Sequence, residues 1–299
     1  MLFQETNPFE KRKNFRENLK SGKLLRFPGA FNPLSAMMIE KKGFEGVYIS
    51  GSVLSNELGY PDVGLTTLNE VANRGRQMAR VTKLPSIIDA DTGFGVAMNA
   101  ARTIQEFIEL GLAGCHLEDQ ENPKRCGHLD GKSLVSTGDM IQKIVAADRA
   151  RKMDPNFVII ARTDARASEG LEKAIDRAKA YVDAGADVIF TEALADEKEF
   201  EIFRKAVSAP LLANMTEFGK SKLLTTKQLE NVGFNIVIYP VTLLRLAMKA
   251  AENGLDTILK DGTQEAAVPA MQTRQQLYDL TDYVRYNEFD QNIYNFKLK

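Results

Sequence analysis

The run Lys124-Arg125-Cys126-Gly127-His128 puts one of the chain's two cysteines beside three basic side chains. An electropositive setting of this kind is where reactive thiols occur. Three chemistries compete for it. A zinc site needs four ligands, and the chain has only two cysteines and two histidines. Cys115 and His116 would also point to opposite faces of a strand. An acyl-transfer nucleophile with His128 as its base is possible, but leaves a second feature, Asp89-Ala90-Asp91, without a use. A proton donor to a carbanion, beside a metal that holds an oxyanion, uses every part. Cys115, inside an apolar run, reads as an inert small hydrophobe.

Asp89 and Asp91 follow Ser86-Ile87-Ile88 and, two apart on a strand, point the same way. With no basic residue adjacent in sequence they repel unless a hard cation sits between them. Oxygen-only ligation suits Mg²⁺, which keeps several waters and needs few carboxylates, and Asp62 and Glu118 supply further acidic contacts around it. The competing reading is a helix-capping Asp91 with a chance neighbour. Gly93-Phe94-Gly95 fails as a dinucleotide fingerprint, because the third glycine would fall at Met98. The basic run carries a tension. Lys124, Arg125 and His128 favour thiolate, whereas a proton donor must be a thiol. The expectation is that a polyanionic substrate restores the proton by like-charge repulsion, so that binding sets the acid form.

Such residues need a frame. Eight short apolar runs recur: Leu24–Pro28, Gly46–Ser50, Ser86–Asp89, Cys115–Glu118, Phe157–Arg162, Val188–Glu192, Leu211–Asn214 and Ile236–Tyr239. Between them lie helical patterns such as Ala100–Leu110 and Leu171–Ala184. Glycines at 111, 185 and 233 fall where helices must end and the chain turn back. Alternating strands and helices imply a parallel sheet covered by helices, and eight units without a linker fit an α/β (β/α)8 barrel better than a doubly wound sheet. In such a barrel the C-terminal strand ends carry the chemistry. They present Tyr48 and Ser50, Asp89 and Asp91, Glu118 and Asp119, Arg162 and Asp164, Glu192, and Asn214 with Thr216. Tyr48 and a metal-bound water are the two candidates for taking a substrate proton. Arg162, Arg245 and Arg274 are candidates for clamping carboxylates by forked hydrogen bonds.

Composition sets the outer bounds. With 299 residues, 44% hydrophobic and 26% charged, the chain fits one soluble barrel with a helical extension over 241–299. A net charge of -1 excludes a nucleic-acid partner. No run is long enough for a membrane span and no signal peptide is visible; two cysteines argue for a reducing, cytoplasmic setting. Lys11-Arg12-Lys13 reads as part of a solvated first helix. The aromatic load of Tyr278, Tyr283, Tyr286, Phe289, Tyr294 and Phe296 marks a tail that packs on something, the same subunit or a neighbour.

Four runs together closely resemble the isocitrate lyase and phosphoenolpyruvate mutase superfamily over essentially the whole chain. They are Lys124–His128, Asp89-Ala90-Asp91-Thr92-Gly93-Phe94-Gly95, Ala161-Arg162-Thr163-Asp164-Ala165 and Asn214-Met215-Thr216-Glu217-Phe218-Gly219. The resemblance implies a homotetramer that exchanges its last barrel helix, and Mg²⁺ held around Asp89 and Asp91 largely through water. It implies cleavage of a small tricarboxylate, 2-methylisocitrate, into pyruvate and succinate in the breakdown of propionate. It assigns catalytic or binding parts to Lys124, His128, Ser50, Gly51, Ser52, Cys126, Gly127, Arg162, Glu192, Asn214, Met215, Thr216, Arg245 and Arg274. Isocitrate lyases usually read Lys-Lys-Cys-Gly-His, carry long extra segments and place a tryptophan where this chain has Phe190. That smaller ring, with Pro240 after the eighth run, leaves room for a methyl group. Isocitrate cleavage and oxaloacetate decarboxylation are the alternative activities, and a barrel that only binds small acids is the non-enzymatic one.

Overall fold

The computed structural model describes residues 6–129 and 131–295; Phe296 of the aromatic tail lies outside them. All eight apolar runs are parallel strands. These are β1 (Leu25–Pro28), β2 (Val47–Ile49), β3 (Ser86–Asp89), β4 (Gly114–Glu118), β5 (Val158–Thr163), β6 (Val188–Thr191), β7 (Leu211–Asn214) and β8 (Ile236–Tyr239). Three match the expected bounds residue for residue, and the others shift by one residue at either end. The strands pair in the order β1-β8-β7-β6-β5-β4-β3-β2. A parallel bridge between Gly29 and Tyr48 joins the ends, and Ala30 N–H donates to Tyr48 O at 2.9 Å. The sheet therefore returns on itself as a (β/α)8 barrel, not a doubly wound sheet. Gly29 permits this closure, since a Cβ there would lie 2.0 Å from Pro240 O.

The helices up to the fifth strand are α1 (Pro8–Leu19), α2 (Pro33–Lys41), α3 (Gly51–Glu57), α4 (Leu68–Ala79), α5 (Ala97–Glu109) and α6 (Thr137–Ala150). After it come α7 (Ala165–Ser168), α8 (Leu171–Asp183), α9 (Glu197–Ala206), α10 (Thr226–Val232), α11 (Thr242–Asp261), α12 (Arg274–Thr281) and α13 (Tyr283–Tyr294). Gly111, Gly185 and Gly233 take the positive φ that lets the chain leave α5, α8 and α10. Strand alternation splits the core in two. Phe27, Tyr48, Ile87, Ile160, Phe190 and Ile238 belong to an inner cluster that Phe15 and Leu19 of α1 join. Ile49, Ile88, Cys115, Ile159, Ile189 and Val237 pack instead with helix residues such as Ile104 and Phe107.

The first helix corrects an expectation. Lys11 and Arg12 are 6% and 4% exposed, so only Lys13 of that cluster is solvated. α1 lies across the N-terminal ends of the strands, against carbonyls at and just beyond the ends of other helices. Arg12 donates to Ile108 O at 2.5 Å in the last turn of α5 and to Leu112 O at 2.7 Å beyond it, and pairs with Asp154 at 2.6 Å. Lys11 Nζ donates to Ala79 O at 2.8 Å, the last residue of α4. Cations are favoured at such helix ends, which is why a charged run is buried here.

The chain divides into two compact units, Met1–Leu244 and Arg245–Lys299. The first is the barrel. In the second, Leu280 is the buried hydrophobic residue among those described, and Tyr278 stacks on Tyr283 at 4.4 Å. Tyr283, Phe289 and Tyr294 are exposed, as are Leu246, Met248, Leu255, Ile258 and Leu259 of α11. Among the described residues no helix is long and apolar enough to cross a membrane.

Candidate active site

The two acids converge as expected, but by a different route. Asp89 ends β3, whereas Asp91 lies beyond it with a left-handed φ of 45° and donates its N–H to Asp89 Oδ1 at 3.0 Å. Gly51 is the common neighbour. Its N–H donates to Asp89 Oδ2 at 3.2 Å, and a Cβ there would meet Asp89 Oδ2 at 2.8 Å and Asp91 Oδ1 at 3.2 Å. Ser50 is buried beside it and Ser52 half-buried. Nothing basic adjoins the pair in sequence, but the fold brings Lys124 to it. Lys124, 3% exposed, places Nζ 2.5 Å from Asp62 and 2.8 Å from Asp91. Burial disfavours its charge, but Glu118, Asp91, Asp89 and Asp62 outweigh burial and keep it protonated. Burial raises Asp91 to about 6 against the pull of Lys124. At Asp89 burial is overcome by Lys124, Arg162 and the hydrogen bond from Asp91 N–H, which hold the carboxyl below its ordinary value.

The cysteine run forms a loop on a short stem. Glu121 N–H donates to Ser133 O and Val135 N–H to Asp119 O, both at 2.9 Å. The Gln120 amide grips Arg125 from both sides, accepting from its N–H and donating to its carbonyl, each at 2.9 Å. Gly127 then rests on the barrel: a Cβ would lie 2.3 Å from Arg162 Nη2 and 2.4 Å from Glu192 Cγ. Lys220 N–H donates to His128 Nδ1 at 3.0 Å, which leaves Nε2 as the ring's donor, 3.1 Å from Glu192 Oε1.

The loop corrects the expected state of the thiol. Lys124 is turned to Asp62 and Asp91, and the Arg125 guanidinium turns back to the carbonyls of Pro123 and Lys124. What remains is burial, which raises the Cys126 pKa against a lowering hydrogen bond from the His128 backbone; Asp62 pushes it up further. The free protein therefore already holds a thiol, and substrate is not needed to restore the proton.

Arg162 is the hub of the acid ring. It donates to Asp164 through Nε at 2.9 Å and Nη2 at 3.1 Å, approaches Glu118 and Glu192 at 3.3 Å each, and lies over the Phe190 ring at 5.1 Å. At Glu192 burial is overcome by Arg162 and His128, so the carboxylate stays ionised. Asn214 Nδ2 reaches both Glu192 oxygens at 3.3 Å, while its Oδ1 has no partner among the described residues. Thr216 is buried nearby in chain. The Met215 side chain is not brought to the site; it lies in the outer core, where its sulfur accepts from Leu224 N–H. Arg245 and Arg274 belong to the second unit.

His116 went unassigned from sequence. The alternation that sends Cys115 outward turns His116 into the barrel, which was the available signal. Its Nε2 is 2.8 Å from Tyr48 Oη, its Nδ1 3.6 Å from Asp89 Oδ1, and its ring meets Phe190 edge-on. Burial lowers His116 to about 4 despite Asp89. Burial, reinforced by Asp89, raises Tyr48 well above its ordinary value. Both groups are thus neutral; with the Nδ1 N–H turned to Asp89, Nε2 accepts from the Tyr48 phenol, which takes a proton only if its own moves on to His116. Lys132 was also missed: it donates to Gly127 O and pairs with Asp164 at 2.8 Å.

A divalent cation fits this donor set. Glu118 is fully buried, burial pushes its pKa well up against Arg162, and its Oε1 has no hydrogen-bond partner among the described residues. A cation, or water ordered by one, answers that orphaned oxygen. Among the described residues no three His, Cys, Asp or Glu side chains stand close enough to form a cage. Mg²⁺, with one or two carboxylates and several waters, is the cation that tolerates this.

The family model of phosphoenolpyruvate phosphomutase matches residues 15–259. The chain is 57% identical over 289 residues to a probable 2-methylisocitrate lyase 2 of Corynebacterium glutamicum, covering 97% of this chain and 94% of that protein. It is 50% identical over 279 residues to the 2-methylisocitrate lyase of Halalkalibacterium halodurans, covering 93% and 92%. Among solved structures, oxaloacetate acetylhydrolase with the inhibitor 3,3-difluorooxalacetate superposes with a TM-score of 0.90 at 32% identity, over 97% of this chain and 99% of that one. Phosphonopyruvate hydrolase with oxalate and Mg²⁺ gives 0.84 at 29% identity, over 93% and 97%.

Proposed function

The chain belongs to the phosphoenolpyruvate phosphomutase family and is an enzyme of the lyase type, and we propose that it cleaves 2-methylisocitrate to pyruvate and succinate with Mg²⁺. The observation that carries the reaction type is the neutral, largely buried Cys126 thiol in a loop seated on the Arg162–Glu192 pair. The activity named for the Corynebacterium and Halalkalibacterium relatives supports the substrate.

In the proposed retro-aldol cleavage, the proton of the tertiary hydroxyl passes to Tyr48 as Tyr48 gives its own to His116. The carbon–carbon bond breaks, its electrons stay on the succinate carbon, and Cys126 Sγ–H protonates that carbon. Arg162 orients a substrate carboxylate by exchanging one of its present acid partners for it. Ser50, Gly51, Ser52, Gly127, Asn214 and Thr216 line the bound acid, and Arg245 and Arg274 are proposed to contact it as well. Asp89 and Asp91 would hold Mg²⁺ with Glu118 and Asp62 around its waters. When bound there it would supply positive charge to the tertiary oxygen as that oxygen loses its proton. Lys124, pinned between Asp62 and Asp91, spaces those acids.

Quaternary structure forms part of the reading. The barrel unit leaves an apolar groove of about 520 Å³ lined by Met38 and Ile39 of α2, Phe44, Thr226 of α10, Tyr239 and Leu243. The exposed apolar residues of α11 are of the kind that would fill such a groove in a neighbour. We therefore assign a homotetramer that exchanges this helix. Both cysteines are free thiols, in keeping with a cytoplasmic enzyme.

The deciding experiment compares pyruvate formation from 2-methylisocitrate with glyoxylate formation from isocitrate, Mg²⁺ present. One methyl group supports a preference of about 10- to 200-fold in kcat/KM for 2-methylisocitrate, and excess chelator should abolish both activities. Faster glyoxylate formation overturns the substrate, and full activity in chelator overturns the metal.

A further inference from the structure

Lys132 sits outside every motif that marks the site, yet its side chain is 2% exposed and reaches the centre of it. A buried ammonium requires compensation, and this one has two partners. One is Gly127 O, one residue past Cys126; the other is Asp164 Oδ1 at 2.8 Å. Asp164 is itself fully buried and also accepts both hydrogen bonds of Arg162. One carboxylate thus fixes the arginine at the heart of the acid ring and, through Lys132, the backbone next to the thiol.

The rest of the loop shows why that fastening matters. Its stem is held by backbone pairs between 119–121 and 133–135, and Gln120 secures Arg125. Beyond Arg125, among the described residues, the tip is tied down through His128, which meets Glu192, Asn214 Nδ2 and Lys220 N–H, and through Lys132, which donates to Gly127 O. Of these, only the Lys132 contact ties the tip to the residue that orients Arg162. Nothing larger than glycine fits at 127, because Arg162 and Glu192 already occupy the space a Cβ would need, so the backbone there lies directly on that pair.

We propose that Lys132 is a positioning residue for the reaction: pinned to Asp164, it holds Gly127 down on the Arg162–Glu192 pair and so presents the Cys126 thiol to the reacting carbon. The proposal rests on the reading of Cys126 as proton donor, but its first readout needs no turnover. Iodoacetamide alkylation of the full-length enzyme is followed by mass spectrometry, with fully buried Cys115 as the internal control. In Lys132→Met the loop lifts, and Cys126 alkylation rises by about tenfold or more, as for a local opening made easier. Removing the ammonium by itself would raise the thiol pKa and slow alkylation, so an increase reports opening and not charge. Pyruvate formation should lose about 100-fold in kcat, the cost of misplacing a catalytic group by an ångström, with KM little changed. Lys132→Arg, which retains the pairing with Asp164, should recover most of both effects.

An unchanged alkylation rate in folded Lys132→Met overturns the proposal, as does faster alkylation with wild-type kcat. Should Lys132→Met not fold, Lys132→Gln is read by the same two outcomes. A wild-type enzyme that forms no pyruvate sinks the lyase substrate reading, while the alkylation result still decides the role of Lys132.

Discussion

At Cys126, two opposed influences act on one proton. Burial beside Asp62 and Glu192 pushes the thiol towards its protonated form, and a hydrogen bond from the His128 backbone together with the Arg162 charge pulls it towards thiolate. Burial prevails while the two basic neighbours in sequence are turned elsewhere, Lys124 to Asp62 and Asp91, Arg125 to backbone carbonyls. A positioned acid contributes about 10²- to 10⁴-fold, so Cys126→Ser should lower kcat by that order while KM for the substrate moves little. Near wild-type turnover would remove Cys126 from the reaction. The sign of the pH effect follows from the raised pKa. The acid form is present below it, so kcat should hold through the ordinary thiol value of 9.0 and fall only at higher pH. An alkaline limb centred near neutrality, measured on the wild-type enzyme, contradicts this account.

α1 shows what an element can hide. Its charges look like a solvated face, and its apolar positions are too few to announce burial. The helix is nevertheless held by Phe15 and Leu19 in the inner core and by Arg12 in a pocket of carbonyls completed by Asp154. Breaking a buried ion pair from one side leaves the other charge uncompensated, at about 3–5 kcal/mol. Arg12→Ala should therefore destabilise the barrel by that amount in urea unfolding, with kcat of the remaining folded enzyme unchanged, since α1 lies at the end of the strands away from the acids. A loss below about 1 kcal/mol, the range of exposed pairs, would place Arg12 back among surface residues.

For the molecule as a whole, the barrel closes by the Gly29–Tyr48 bridge and carries its chemistry at one end, while α11 to α13 bury little of their own apolar surface. Exposed leucine, isoleucine and methionine in one helix support the proposed exchange of α11. Sedimentation at micromolar concentration should give about four times the 33.3 kDa chain mass, as closed symmetry of a tetramer requires. A monomer under those conditions overturns the exchange of α11.

The sequence by itself determined the parts that depend on neighbours along the chain. Strand runs, helix-ending glycines and polar strand ends follow from local hydrogen bonding and alternation, and these were legible to within a residue from Leu24 to Tyr239. The same alternation placed Asp89 at its strand end and turned Cys115 away from it. Tertiary structure decided what depends on sums over distant segments. Lys124 stands between Asp62 and Asp91, which lie 62 and 33 positions before it in the chain. His116 meets Tyr48 across the barrel, Lys132 meets Asp164, and Arg12 meets Asp154. Burial and charge pairing act through space, so the protonation of Cys126 and the solvation of α1 could be settled only once the barrel had brought those groups together.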